Sequence, residues 1–224
     1  MSVEHKGLIT EIHARGLRRA NLAALQEQRA RMLASLQASV GRGKQSRSAL
    51  YRKITGQLRA LAGPLGLSTE IGEGKQRQFL LTMLTPRKGV GLVSELVVVS
   101  FRTPTRPLAC AGPLTIRQHA LERLHHRIGL SGDFTVWARE FRITLATALA
   151  LSFSDDWKKA DQTEGALPTM NGALLGIHEG DDFVGRTWLH AVDLSCAQRA
   201  EVVRKLSIAS HLTRPLMLSG SFAT

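Results

Sequence analysis

Apolar residues recur along this chain at two spacings, and the switches between them mark out the elements. From Leu22 the apolar positions Leu22, Leu25, Met32, Leu33, Leu36 and Val40 approximate a heptad seam, interrupted by Arg29. Residues 3–40 therefore read as one long helix, or two broken near Gly16, packed on the domain or paired with a copy of itself. A second helical stripe, Leu50, Ile54, Leu58 and Leu61, covers residues 48–62 and is ended by Gly63-Pro64. Between them, residues 41–48 (GRGKQSRS) combine Gly, Ser and basic residues with no apolar anchor, which predicts a flexible basic linker. Residues 66–77 read as a polar loop.

Strand-like composition follows. Residues 79–86 and 90–103, rich in Val, Leu and Phe, read as two strands of a hairpin joined by Arg87-Lys88-Gly89. Pro104, Pro107 and Pro113 break the chain before residues 115–129 (TIRQHALERLHHRIG), where the helical period returns. There Leu121, Leu124 and Ile128 fall on one side, and His119, Arg123, His126 and Arg127 on the other. Thr115 and Gly129 stand where an N-cap and a C-cap belong. A further helix, capped by Ser131 and running to about Ser152, buries Phe134, Trp137, Phe141, Leu145 and Ala148. Residues 170–178 and 183–192 form a second hairpin around Glu179-Gly180-Asp181-Asp182, and a last helix spans 195–211. The expectation is an α+β domain over residues 49–212, an antiparallel sheet of two hairpins with helices packed on one face. A helical arm (1–40) and the linker (41–48) precede it, and a short tail (213–224) follows.

Charge narrows the choice of partner. The 224 residues include 30 Lys or Arg against 18 Asp or Glu, a formal net charge of +12. Guanidinium groups match phosphate geometry, so a polyanion is the expected partner. Residues 1–60 carry most of the early basic charge, while residues 154–193 are acidic. Arg42, Lys44, Arg47, Arg52, Lys53 and Arg59, with His126, are the candidate phosphate contacts. No apolar run is long enough to cross a bilayer and no signal-like segment opens the chain, so a cytoplasmic protein without a membrane partner is expected. Cys110 and Cys196 form neither a disulfide framework nor a zinc pattern and read as buried, inert thiols. Asp155-Asp156 and Asp181-Asp182 read as a helix start and a turn; no metal or cofactor is expected.

The sharper chemistry lies on residues 115–192. His119 could act as an acid/base, Arg123 and Arg127 could hold a phosphate, and Thr187 and His190 on the strand GRTWLHAV could complete the set. Arg204 and His211 share one face of the last helix two turns apart. The run His119-Ala120-Leu121-Glu122-Arg123, with Arg127 and a later strand carrying Thr187, resembles the barnase/EndoU/colicin/RelE-like nuclease superfamily. That resemblance implies a helix followed by an antiparallel sheet, acting on RNA. Three functions follow as expectations. The first is a nucleic-acid-binding protein, RNA ahead of DNA. The second is a metal-independent ribonuclease or toxin-like effector. The third is a phage or mobile-element inhibitor or adaptor that binds an acidic protein surface or its own copy.

Overall fold

The computed structural model describes residues 11–40, 45–128 and 134–217. In chain order these form α1 (Glu11–Val40), α2 (Arg47–Ala62), β1 (Gly66–Ile71), β2 (Gln78–Arg87), β3 (Gly91–Ser100), β4 (Leu108–Arg117), α3 (Gln118–Ile128) and α4 (Thr135–Leu151). They continue with α5 (Asp155–Lys159), β5 (Glu164–Pro168), β6 (Gly172–Glu179), β7 (Asp182–His190) and α6 (Cys196–Met217). Among the described residues seven strands make one sheet, in the order β1-β2-β3-β4-β7-β6-β5. Neighbours are antiparallel except β4 and β7, which run parallel where the two meanders meet. The class is α+β with a long N-terminal helix, as the pattern predicts.

Both expected hairpins are present. The β2–β3 turn holds Gly89 at φ 78, a left-handed conformation that glycine reaches without a Cβ penalty. Three strands lie where loop or helix was expected. β1 occupies part of the stretch read as a polar loop, and β5 lies in the acidic segment before the second hairpin. β4 takes up the start of the stretch read as the central helix. Thr115 is therefore not a helix cap: it pairs with Val93 and Val184, and α3 begins at Gln118. The prolines concealed β4. Pro113 sits at a β-bulge, a position that tolerates a residue without an N–H, and Ser94 Oγ accepts the Leu114 N–H at 2.9 Å. A Cβ at the neighbouring Gly112 would lie 2.5 Å from Ser94 Oγ, so the bulge needs glycine there. The expected caps Gly129 and Ser131 lie outside the described residues. α6 continues to Met217, into the stretch read as a tail.

Helices lie against both faces of the sheet, not the one face expected, because alternate strand positions are apolar on both sides. Phe79, Leu81, Met83, Val97 and Val99 share one face and pack with Tyr51, Ile54 and Leu58 of α2. The alternate positions, including Leu84, Leu92, Leu114, Ile116, Leu174 and Trp188, pack with α3 and α4. α6 lies along the outer edge of β5, where Glu201 accepts the Ala166 N–H at 3.2 Å, so this sheet edge is covered. α1 docks through a stripe that is half polar. Ala14, Arg18, Asn21 and Leu25 are buried at helical spacing. Arg18 pairs with Glu122 at 2.7 Å, and Arg29 with Glu95 at 2.5 Å.

At the β4–β7 junction, Thr115 Oγ1 donates to Asp182 Oδ2 at 2.7 Å. Burial raises the Asp182 carboxyl above its ordinary range and Glu179 adds to this, while the Thr115 hydrogen bond opposes it. A carboxyl raised by folding gives stability at low pH that is lost as pH rises through its folded pKa. Asp182→Asn keeps an acceptor for Thr115 and removes the buried charge. It is expected to raise the thermal midpoint at neutral pH and leave it little changed in acid. A lower midpoint at neutral pH would contradict this.

Candidate nucleic-acid interface

α3 packs beside β7, so the two elements that carry the expected catalytic residues do meet. Exposed His119 has its Nε2 accepting from Arg123 Nε at 3.3 Å and its Nδ1 3.8 Å from Glu122 Oε2. Arg127 is ion-paired with Asp193, just after β7. Thr187 is a half-buried strand residue opposite Leu175. His190 Nδ1 accepts the Val192 N–H at 3.4 Å, and its ring stands edge-on to Trp188. Among the described residues no hydrogen bond or ion pair links His119 or Arg123 to Thr187 or His190. His126 is half-buried, with no hydrogen-bond partner for Nδ1 among the described residues. On the cationic side of α3, Arg127 is answered by Asp193 and His119 lies near Glu122, while Arg123 donates to His119 and has no carboxylate partner among the described residues.

The front half shows the same neutralisation. Arg18 and Arg29 are used in docking α1. Arg31 pairs with Glu27 and Arg15 with Glu11, each across one helical turn. Arg59 pairs with Glu70 at 3.0 Å and lies 4.8 Å over the Phe79 ring. Lys53 is half-buried on α2. Arg47 and Arg52 are exposed on the first turns of α2 without a carboxylate partner among the described residues. Arg42 and Lys44 lie outside the described residues.

Open positive charge gathers elsewhere. β2 and β3 pair through Gln78 and Ser100 at one end of the sheet, which sets the β1–β2 turn beside the β3–β4 loop. These two connections carry Lys75 and Arg77 on one side and Arg102 and Arg106 on the other, with Glu73 as a carboxylate in the same turn. None of the four forms an ion pair among the described residues. Lys75 and Arg102 border an open depression of about 480 Å³ whose walls include Gln76, Gln78 and Ser100. On the α2 side, Arg77 lies 5.7 Å from the centre of the Phe101 ring, which meets Tyr51 edge-on at 5.3 Å. The Arg102 N–H is held by Ser100 Oγ, and the Arg106 N–H by the Thr103 carbonyl, so the loop is internally bonded. Counting charge along the sequence pointed to the N-terminal helices, the linker and the Arg/His face of residues 115–129. This cluster comes from two short segments on either side of a hairpin, and only the strand register joins them.

Both cysteines are exposed rather than buried, Cys110 on β4 and Cys196 at the start of α6. Among the described residues no three His, Cys, Asp or Glu side chains gather as a metal site requires. No described helix is long and apolar enough to cross a membrane. Set against known proteins, the chain matches no family model, no curated protein and no solved structure.

Proposed function

We propose that this chain binds single-stranded nucleic acid through its phosphates, at the end of the sheet formed by the β1–β2 turn and the β3–β4 loop. The observation that carries the reading is that Lys75 and Arg102 face one depression, with Arg77 and Arg106 on the same two connections, and that none of the four has a carboxylate partner among the described residues. The cations of α1 and α3, in contrast, are mostly paired within the chain. Guanidinium groups offer planar forks to phosphate oxygens, and Gln76, Gln78 and Ser100 add neutral donors and acceptors beside them. Arg47 and Arg52 extend the positive surface along α2. The depression is too open to enclose a small molecule, which suits a chain laid across it.

Fluorescence anisotropy with labelled single-stranded RNA and DNA of mixed sequence tests this reading. The expected result is saturable binding at low salt, with affinity falling by about 0.7 logarithmic units per phosphate contact for each tenfold rise in salt. RNA is expected to be bound ahead of DNA. RNA that shortens during the assay, with cleavage abolished by His119→Ala, would favour the ribonuclease reading. A flat salt response, or no binding at low salt, would remove the proposal.

A further inference from the structure

Away from the cationic surface, a second cavity of about 260 Å³ opens between α5, the β5–β6 pair and α6. It contains ionisable groups that phosphate binding does not use. His178 on β6 is 3 % exposed, and its Nδ1 has no hydrogen-bond partner among the described residues. Its ring is wedged edge-on between Trp157, at 4.5 Å, and Phe183, at 5.0 Å. Across the cavity, Lys205 of α6 is 6 % exposed, with Nζ 2.7 Å from Glu201 Oε1. Gly165 leaves room for that pair, since a Cβ there would lie 3.1 Å from Lys205 Nζ. Leu151, Trp157 and Ile208 supply an apolar wall, and exposed Arg204 stands at the mouth.

A buried imidazole nitrogen with no partner is costly unless something binds it. Here it shares a cavity with a nearly buried ammonium. An oxyanion can accept from both. We propose that this cavity binds a small organic monocarboxylate, its head between Lys205 and His178 and its apolar body against Leu151, Trp157 and Ile208. Asp156 and Glu164 at the rim disfavour a more highly charged head such as a phosphate dianion. Glu201 Oε1 is held by Lys205 and by the Ala166 N–H, and no hydrogen bond joins Glu201 to the imidazole among the described residues.

The charges around His178 give the site a pH signature. In the free protein, burial first and then Lys205 push its pKa down to about 4, against opposing pulls from Glu201 and Asp161. A carboxylate placed beside the ring favours the imidazolium and draws the pKa back up. Binding is therefore coupled to proton uptake, and affinity rises as pH falls through the raised bound-state pKa towards the free-state value of about 4.

The test follows the histidine side-chain resonances of the full chain by NMR during titration with benzoate, with phenyl phosphate and inorganic phosphate as comparators. Benzoate is expected to shift the His178 resonances saturably and move their titration midpoint upward. It is also expected to bind more tightly at the lower pH. The double variant Lys205→Met/Glu201→Gln removes the buried ion pair together, so neither partner is left as a lone charge. It is expected to lose about tenfold or more in benzoate affinity. His178→Gln, tested through Trp fluorescence in case the double variant does not fold, is expected to abolish the pH dependence of binding. Non-saturating shifts, pH-independent affinity, undiminished binding by a folded double variant, or tighter binding of either phosphate would overturn the proposal.

Discussion

Glu140→Ala is expected to lower the unfolding free energy by about 4 kcal/mol, the scale set by stranding several buried donors and opening a cavity. Glu140 is 1 % exposed in the middle of α4, the main helix of the larger core. Its Oε1 accepts from Thr169 Oγ1 at 2.6 Å, from the Asn171 N–H at 2.9 Å and from Trp188 Nε1 at 3.2 Å. Its Oε2 accepts from Asn171 Nδ2 at 2.8 Å. The Glu140 carbonyl in turn accepts the Met170 N–H at 3.1 Å. One side chain therefore fixes the β5–β6 turn and the indole of β7 to α4. Removing it leaves Thr169 Oγ1 and the Asn171 N–H and side-chain amide without their acceptor, while Trp188 Nε1 keeps only Thr169 Oγ1, at 3.0 Å. For a chain of this size the loss corresponds to a drop in Tm on the order of 10 °C. Glu140→Gln keeps the volume but turns an amide N–H₂ towards donors, so an intermediate loss is expected. Urea denaturation of the two variants measures both, and a loss below about 1 kcal/mol for the alanine variant would show that the network does not hold the turn.

The second large effect is acid destabilisation through His178. Its folded pKa of about 4 lies below the ordinary 6.5, with burial as the main cause and Lys205 next. The unfolded chain takes up a proton near the ordinary value, whereas the folded chain resists until the pH is far lower. Stability is therefore full above about pH 6.5 and falls as pH drops towards about 4, by roughly 3 kcal/mol in all. His178→Gln removes this contribution while every other titrating group stays in place. The difference in stability between the two proteins, followed by urea denaturation from neutral pH to about pH 4, is expected to change by that amount. Parallel curves would mean that the imidazole titrates normally in the folded state.

What the sequence disclosed follows from where burial and hydrophobic pattern agree. α4 was legible because Trp137, Phe141, Leu145 and Ala148 lie on one stripe and all face the core. The β2–β3 and β6–β7 hairpins were legible from strand-like runs on either side of a glycine turn. β1 is an edge strand with no fully buried residue, and β4 carries Pro113 and an exposed first half, so neither gives an alternating signal. α1 misled in another way. The seam through Leu22 and Leu25 was visible, but Leu33 further along it is 41 % exposed. The helix docks through Leu22 and Leu25 together with Arg18, Asn21 and Arg29, residue types that periodicity arguments place in solvent.

The same effect moved the candidate site. Arginines that look free in a basic stretch meet Glu95 and Glu122, which are distant in sequence, and only the fold reveals that neutralisation. Lys75, Arg77, Arg102 and Arg106 made no run worth noticing, yet the register of one hairpin sets the two connections that carry them side by side, and Lys75 and Arg102 border one depression. Glu140 did leave a signal. It lies three residues after Trp137 and one before Phe141, on the buried stripe of an apolar helix, where a carboxyl needs partners. The His178 cavity left little, because it depends on side chains from β6, α5 and α6.

The central claim is that open positive charge at the loop end of the sheet, and not the α3 face, meets the polyanion. Two variants decide it in one salt titration with single-stranded RNA: Lys75→Gln/Arg77→Gln/Arg102→Gln/Arg106→Gln, and Arg123→Gln/Arg127→Gln. The account predicts that the first loses most of its affinity at low salt, with a plot of log affinity against log salt shallower by about 0.7 for each phosphate contact removed. It predicts that the second keeps both the affinity and the slope of the unaltered chain to within about twofold. An unchanged slope in the loop variant, with the loss falling on the Arg123/Arg127 variant, would contradict it.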